Sequence, residues 1–245
     1  MARQWPVTFN IGTFKAMKET YNKAYKQEEV RLWWENAPGK AVILKALDGL
    51  LEDSSENADS KYSRCSLVDI GCGTGFFLNV ISSKYKLGRF IGIDLSLEAI
   101  TMGRHLYPHL DLRCEDACHT SIKKSTIDFL IGYGCYEHFL DPLAGLREAS
   151  MILKKNGIFL LMMPTLGIDR TDRTDEGWYE EREIDGQPIL QKQWNFKRVT
   201  WESLLKKAGL MLWDFDLPRK FGAIKPGVFF FGVKPETVLS FSTRH

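Results

Sequence analysis

The run Leu67-Val68-Asp69-Ile70-Gly71-Cys72-Gly73-Thr74-Gly75-Phe76-Phe77 constrains this chain more than any other stretch, because an apolar strand enters three glycines at alternate positions and a helical pattern follows at once. Glycine lets the backbone turn through positive φ and lets a ligand approach without a Cβ in the way, while the next helix offers unpaired N–H groups. The pattern points to a nucleotide-like ligand. A dinucleotide fingerprint would set its third glycine one position later, and a P-loop would end in Gly-Lys-Ser or Gly-Lys-Thr, which this run does not. Asp69, two residues before Gly71, favours a ligand with a positive group near the loop over a pyrophosphate. Asp94 closes the next strand-like run and stands where acids accept hydrogen bonds from ribose hydroxyls in related α/β folds. Its alternative is to cap the following helix, for which Ser96 is better suited.

Around this run the sequence alternates. Strand-like runs at 66–70, 90–94, 110–114, 127–132 and 157–163 are separated by helical patterns near 75–83, 97–106 and 142–153. A helix expected at 200–208, capped by Thr200 and stopped by Gly209, precedes two more strand-like runs at 210–215 and 228–233, the pair flanking a Pro- and Gly-rich loop. The expectation is an α/β fold, a doubly wound, mostly parallel seven-stranded sheet. Amphipathic helical stretches at 14–34 and 38–51 come first, then a polar, acidic linker at 52–63. Residues 165–196 break the rhythm with many charges plus Trp178 and Tyr179, an irregular segment of the kind that covers a site. The expected organisation is an N-terminal helical cap and linker, 1–63, and a main domain, 64–245, with 165–196 as a lid-like insertion.

Composition removes several function classes. At 245 residues with 44% hydrophobic and 26% charged side chains, the chain is neither disordered nor collagen-like. A formal net charge of +2 is too even for a surface built on phosphate backbones, so no nucleic-acid partner is expected. No apolar stretch approaches the roughly 18 to 20 residues of a membrane span. Residues 1–10 lack the layout of a signal peptide, so a cytoplasmic protein with no membrane partner is expected. The five cysteines are odd in number and none pairs at the spacing of structural zinc, which suggests reduced thiols and no metal.

From about residue 66 to 164, and more loosely through the helix near 200 and the last strands, the chain resembles the class I S-adenosylmethionine-dependent methyltransferases, a Rossmann-like family. The resemblance implies that Gly71, Gly73 and Gly75 border the methionine and ribose of the cofactor, with Asp69 near its amino group. It implies that Asp94 binds the ribose, that Leu95 lies against adenine, and that Asp116 with Ala117 recognises the adenine edge. Cys72 in the loop and Tyr133 after the fourth strand are counted with the same cofactor contacts. Gly132-Tyr133-Gly134-Cys135-Tyr136-Glu137-His138-Phe139-Leu140-Asp141-Pro142 looks like the Glu-His-x-x-Asp-Pro segment of small-molecule members. Asn156 stands where the family often has glycine or proline, and Asn also tolerates a turn.

The implied chemistry is in-line displacement at a sulfonium methyl, which gains mostly from alignment and exclusion of water. An apolar pocket with aromatic faces toward the cation suits it. Tyr21, Tyr25, Trp33, Tyr136, Trp178 and Tyr179 are the candidate acceptor contacts, with core or surface packing as their ordinary alternative. A hydroxyl acceptor needs a base, and His138 beyond a strand end is the candidate; Glu137 is a second catalytic candidate or a brace, and the pair can instead be structural. Quinone-biosynthesis O-methyltransferases carry a metal-binding acid where this chain has Gly134, and no metal is expected. The expected function is methyl transfer to an oxygen or nitrogen of a small-molecule metabolite. One alternative is a C-methyltransferase of the cyclopropane-synthase type, whose Gly-x-aromatic-Glu-His-Phe run residues 134–139 follow. Another is a non-catalytic cofactor-binding protein of the same fold; a nicotinamide dehydrogenase conflicts with the glycine spacing.

Overall fold

The computed structural model describes residues 11–51, 62–165, 178–184, 187–213 and 229–236. Its strands are β1 (Ser66–Ile70), β2 (Arg89–Asp94), β3 (Asp111–Cys114), β4 (Ile127–Tyr133), β5 (Leu153–Met162), β6 (Trp178–Ile184), β7 (Gln187–Gln193), β8 (Met211–Leu212) and β9 (Phe229–Val233). The helices are α1 (Ile11–Lys26), α2 (Glu28–Glu35), α3 (Lys40–Leu50), α4 (Phe76–Lys84), α5 (Leu97–Leu106), α6 (Pro142–Ile152) and α7 (Arg198–Lys207). Seven strands form one sheet in the order β3-β2-β1-β4-β5-β9-β8, parallel except that β9 runs antiparallel to both neighbours. The expected doubly wound, seven-stranded sheet is present.

Strand β1 shows how the sequence builds this sheet. Its side chains alternate between faces, so Val68 and Ile70 join one buried cluster with Leu146, Trp201 and Leu205 of α6 and α7. Leu67 joins another, with Ile43 and Leu47 of α3 and Leu78 and Ile81 of α4. Both faces are covered, which a parallel sheet requires. Strand order reverses between β1 and β4, and this switch opens a crevice beyond the carboxyl ends of both strands.

Local chemistry sets the element ends. Ser96 caps α5, its hydroxyl accepting from Ala99 N at 3.2 Å, and Asp141 caps α6 with Pro142 in the first turn. Asn156 takes φ 60° where β5 is out of register with β4, so β5 opens at Leu153, earlier than the expected 157. The single amphipathic stretch expected at 14–34 is two helices, broken at an extended Gln27. Thr200 is not the cap of α7: the helix starts two residues earlier, after Lys197. Arg198 explains the extra residues, since its guanidinium donates to Glu202 at 2.7 Å and lies over the Phe230 ring. Gly209 ends the helix at φ 78°, as expected.

Residues 165–196 are more regular than expected, because β6 and β7 pair as an antiparallel hairpin from Trp178↔Gln193 to Ile184↔Gln187. Residues 166–177, most of the linker at 52–63, and the Pro- and Gly-rich loop before β9 lie outside the described residues. Tyr62, at the described end of that linker, is anchored, its hydroxyl donating to Leu50 O at 2.8 Å.

Candidate functional site

The glycine loop crosses the end of β2. Gly71 N and Cys72 N both donate to Ile93 O, at 2.8 and 3.1 Å, and Gly71, Gly73 and Gly75 all have positive φ. Two of these glycines also leave room that no other residue could. A Cβ on Gly71 would come within 2.5 Å of the Cys135 Cβ, and one on Gly73 within 2.5 Å of the Tyr25 hydroxyl. Gly75 instead turns the chain into α4 against Leu112 and is not on the cavity wall.

Asp94 ties the loop to the next turn. One carboxylate oxygen accepts from Gly73 N and the other from Ser96 N, both at 2.8 Å. A carboxylate has about four acceptor positions, so two remain for ligand hydroxyls. Burial raises the Asp94 pKa above the usual carboxylate range, opposed by these backbone donors. Asp69 lies deeper, and burial moves it up to about 7 against the pull of Lys40, with Asp94 adding to the rise. Asp116, half-exposed beyond β3, accepts from Cys118 N at 2.8 Å.

A cavity of about 490 Å³ joins these groups. Its walls include Asp69, Gly71, Cys72, Gly73, Asp94, Leu95, Asp116, Ala117 and Tyr133, all named from the sequence as cofactor contacts. Glu137, His138, Tyr21, Tyr25 and Trp33 line it as well. Tyr136 does not: its side chain is buried in the core 4.8 Å from the Phe139 ring. Trp178 and Tyr179 open β6, and their side chains lie outside the described residues.

The cap descends on this cavity from α1 and α2. Asn22 Oδ1 accepts from the Ser96 hydroxyl at 2.9 Å and from Glu98 N at 3.2 Å, which binds α1 to the start of α5. Glu35, at the end of α2, accepts from the hydroxyl of Thr74 in the glycine loop at 2.6 Å. Tyr25 packs against Trp34 at 5.0 Å between ring centroids, and burial followed by Asp94 pushes its hydroxyl pKa well up. Sequence reasoning missed Glu35, Thr74, Gln193 and Lys40 as wall residues. Lys40 carried a signal, a cation opening the apolar run Ala41-Val42-Ile43-Leu44. Its ammonium donates to Trp34 O at 2.8 Å and lies over the rings of Phe77 and Tyr133, and burial lowers its pKa against the opposing pull of Asp69.

Across the cavity, residues 136–138 form a short 3-10 turn. Gly134, at φ 64°, leads into it. His138 Nε2 is 3.8 Å from Glu137 Oε1, and the His138 ring meets Tyr21 edge-on at 6.2 Å. Trp194, just after β7, clamps this turn. Its backbone N–H donates to Glu137 O at 2.7 Å and its indole to Phe139 O at 2.8 Å, the carbonyls on either side of His138. No group of three or more metal-ligating side chains occurs among the described residues, and the five thiols are unpaired, Cys72 and Cys135 buried.

The glycine cradle stands beside three separate carboxylates, Asp69 within β1, Asp94 at the end of β2 and Asp116 beyond β3, which offer acceptors to a ligand that carries an ammonium and hydroxyls. Comparison with known proteins agrees. Residues 17–214 match the family model described as "Methyltransferase domain". A protein of Mycolicibacterium smegmatis named as an S-adenosylmethionine-dependent methyltransferase is 25% identical over 104 residues, 41% of this chain and 40% of that one. The malonyl-[acyl-carrier protein] O-methyltransferase of Brevibacillus brevis is 24% identical over 172 residues, 66% of this chain and 60% of that one. The chain spans 34 to 40% of the length of three other curated matches or of the M. smegmatis protein, an iridescent-virus protein among them. The solved structure of S-adenosylmethionine-bound CalS10 from Micromonospora echinaspora, titled an amino pentose methyltransferase, superposes with a TM-score of 0.58 at 13% identity, covering 85% of this chain and 97% of that one. The chain therefore belongs to the methyltransferase-domain family, with the fold of the class I S-adenosylmethionine-dependent enzymes.

Proposed function

We propose that this protein transfers the methyl group of S-adenosylmethionine to an oxygen or nitrogen of a small-molecule metabolite. The observation that carries the reading is a cavity that joins the glycine loop and strand-end acids to His138 and the aromatic side chains of α1 and α2. At about 490 Å³ it has the size of a small-molecule pocket rather than of a polymer groove. No helix among the described residues is long and apolar enough to cross a membrane.

When bound, S-adenosylmethionine supplies an electrophilic methyl on a sulfonium. The residues suited to hold it are Asp94 for the ribose hydroxyls, Asp116 and Ala117 for the adenine edge, and Asp69 for the amino group. Lys40 is the cation beside Asp69 that a carboxylate would use. Helices α1 and α2, within the proposed cap 1–63, exclude water from the cavity and so strengthen every charge interaction inside it. His138 takes the acceptor's proton, and the nearby Glu137 carboxylate stabilises the imidazolium that results. The cap and the 165–196 insertion choose the acceptor. Calorimetric titration with S-adenosylmethionine, S-adenosylhomocysteine and NAD tests the cofactor half of this reading. Binding of both sulfur compounds and not of NAD is expected; NAD binding without the sulfur compounds overturns it.

A further inference from the structure

Resting on the methyltransferase reading, we infer that the acceptor is a basic amine, held as a cation between the aromatic wall of Tyr21 and Trp34 and the Glu137 carboxylate, and methylated on nitrogen. Three observations carry this. The Tyr21 ring lies 6.4 Å from Trp34 and 6.2 Å from the His138 ring, so the aromatic wall continues to the imidazole without a break. Aromatic faces attract a cation through their quadrupole, and the attraction grows where water is excluded.

The second observation is the distribution of charge. Among the described residues of the cavity wall, the cationic side chains are Lys40 and, when protonated, His138. Lys40 is spent at the other end, on Trp34 O and in the field of Asp69. Near His138 the wall presents the Glu137 carboxylate, which repels an acceptor bearing phosphate or carboxylate and attracts a protonated amine. A protonated amine meets a carboxylate that is 3% exposed and two aromatic rings.

The third is how charge moves during the reaction. An amine lone pair forms the new bond to the methyl carbon while the C–S pair stays on sulfur, so one positive charge passes from sulfur to nitrogen and none is lost. A wall that binds cations suits the start, the middle and the end of that step. An oxyanion nucleophile would instead be formed beside the buried Glu137 carboxylate, which like-charge repulsion disfavours. The ammonium that enters must first give up a proton, and His138 Nε2 is the acceptor. The methylated product keeps its new charge as an ammonium.

The test uses three probes that differ only in their polar end, cationic, neutral or anionic: 2-phenylethylamine, 2-phenylethanol and 3-phenylpropionate. Each is titrated by calorimetry into the full chain saturated with S-adenosylhomocysteine, so that no turnover occurs. The amine should bind at least about tenfold more tightly than the alcohol, and the carboxylate more weakly than either. Glu137→Gln, which keeps the shape of the side chain, should remove most of the amine's advantage and leave the alcohol unchanged. A Tyr21→Leu, Trp34→Leu variant should do the same with S-adenosylhomocysteine affinity intact. Turnover with S-adenosylmethionine and the amine should place the added methyl on nitrogen by mass spectrometry. Equal binding of the three probes, preference for the carboxylate, or no binding by any of them overturns the inference. Failure to bind S-adenosylhomocysteine at the outset overturns the methyltransferase reading instead.

Discussion

The two walls of the cavity are held in different ways. On the cofactor wall, the strand-end acid Asp94 is fixed by backbone donors from the glycine loop and the α5 turn, and the loop by Ile93 O, so its geometry follows from the sheet itself. The opposite wall belongs to α1, α2 and the turn at 136–138, and rests on a few latches: Asn22 on α5, Glu35 on Thr74, and the backbone and indole N–H of Trp194 on the carbonyls flanking His138. The first wall can change only if the sheet changes. The second can be altered by single substitutions, which is the property a family needs when one cofactor serves many acceptors.

The sharpest separation of the walls is chemical. His138→Gln should lower kcat by roughly 10² to 10⁴ if the imidazole is the base, while the dissociation constant of S-adenosylhomocysteine stays as it was. Parallel loss of both would mean that the turn at 136–138 belongs with the cofactor wall. Asp94→Ala is the converse. It removes an acceptor from two backbone N–H groups and, on the proposed reading, from the ribose, with hydrogen bonds to charged groups worth about 1.5–3 kcal/mol each. S-adenosylhomocysteine should bind on the order of 100-fold more weakly, and thermal unfolding should come at lower temperature; an unchanged affinity would remove Asp94 from the site.

The difference between the walls also decides what could be read from sequence. The places of the glycine loop, Asp94 and Asp116 on the cavity wall are legible because they follow from strand ends, and strands show in the apolar pattern. Ser96 as the α5 cap was legible for the same local reason. Glu35 was not legible, because its partner Thr74 is 39 positions away and only the break at Gln27 brings them together. Tyr136 and Tyr21 look alike in sequence, yet one is buried in the core and the other lines the cavity. That choice is made by which side of a 3-10 turn faces the sheet, and no periodicity encodes it. The cap of α7 differs from the one its sequence suggests because Arg198 gains from the Phe230 ring, which is distant in sequence.

A pH series sharpens the comparison on the cofactor wall. Asp69 has a folded-state pKa of about 7, raised by burial above its unfolded value, so below that pH the folded protein holds a proton there. A ligand that brings an ammonium beside Asp69 favours the ionised form and expels the proton. Affinity for S-adenosylhomocysteine should therefore rise with pH up to about 7 and level off above it, by up to about tenfold per pH unit. The same linkage makes Asp69 cost stability as pH rises from its unfolded value through 7. Asp69→Asn should flatten the binding curve, and calorimetry in buffers of different ionisation enthalpy should show proton release that the variant lacks. A flat curve in the wild-type chain would remove the amino-group role from Asp69.

The smallest effect tests whether the two walls are separate at all. Thr74 belongs to the glycine loop and is 1% exposed, and its hydroxyl is donated to Glu35 on the cap at 2.6 Å. Thr74→Val keeps the β-branched shape and removes only the donor. A hydrogen bond to a charged group is worth about 1.5–3 kcal/mol, and the loss here falls toward the lower figure because Glu35 can turn to water. Each kcal/mol lowers Tm by roughly 2–4 °C in a domain of this size. If the latch couples the walls, the variant should weaken S-adenosylhomocysteine several-fold and raise the acceptor KM together, because the cap no longer closes against the loop. If only the cofactor constant moves, Glu35 merely shapes the loop, and α1 and α2 keep their places through other contacts such as Asn22 on α5 and Lys40 on Trp34 O. If only the acceptor constant moves, the loop keeps its form without Glu35. A shift in both makes this bond the point at which acceptor selection senses an occupied cofactor site.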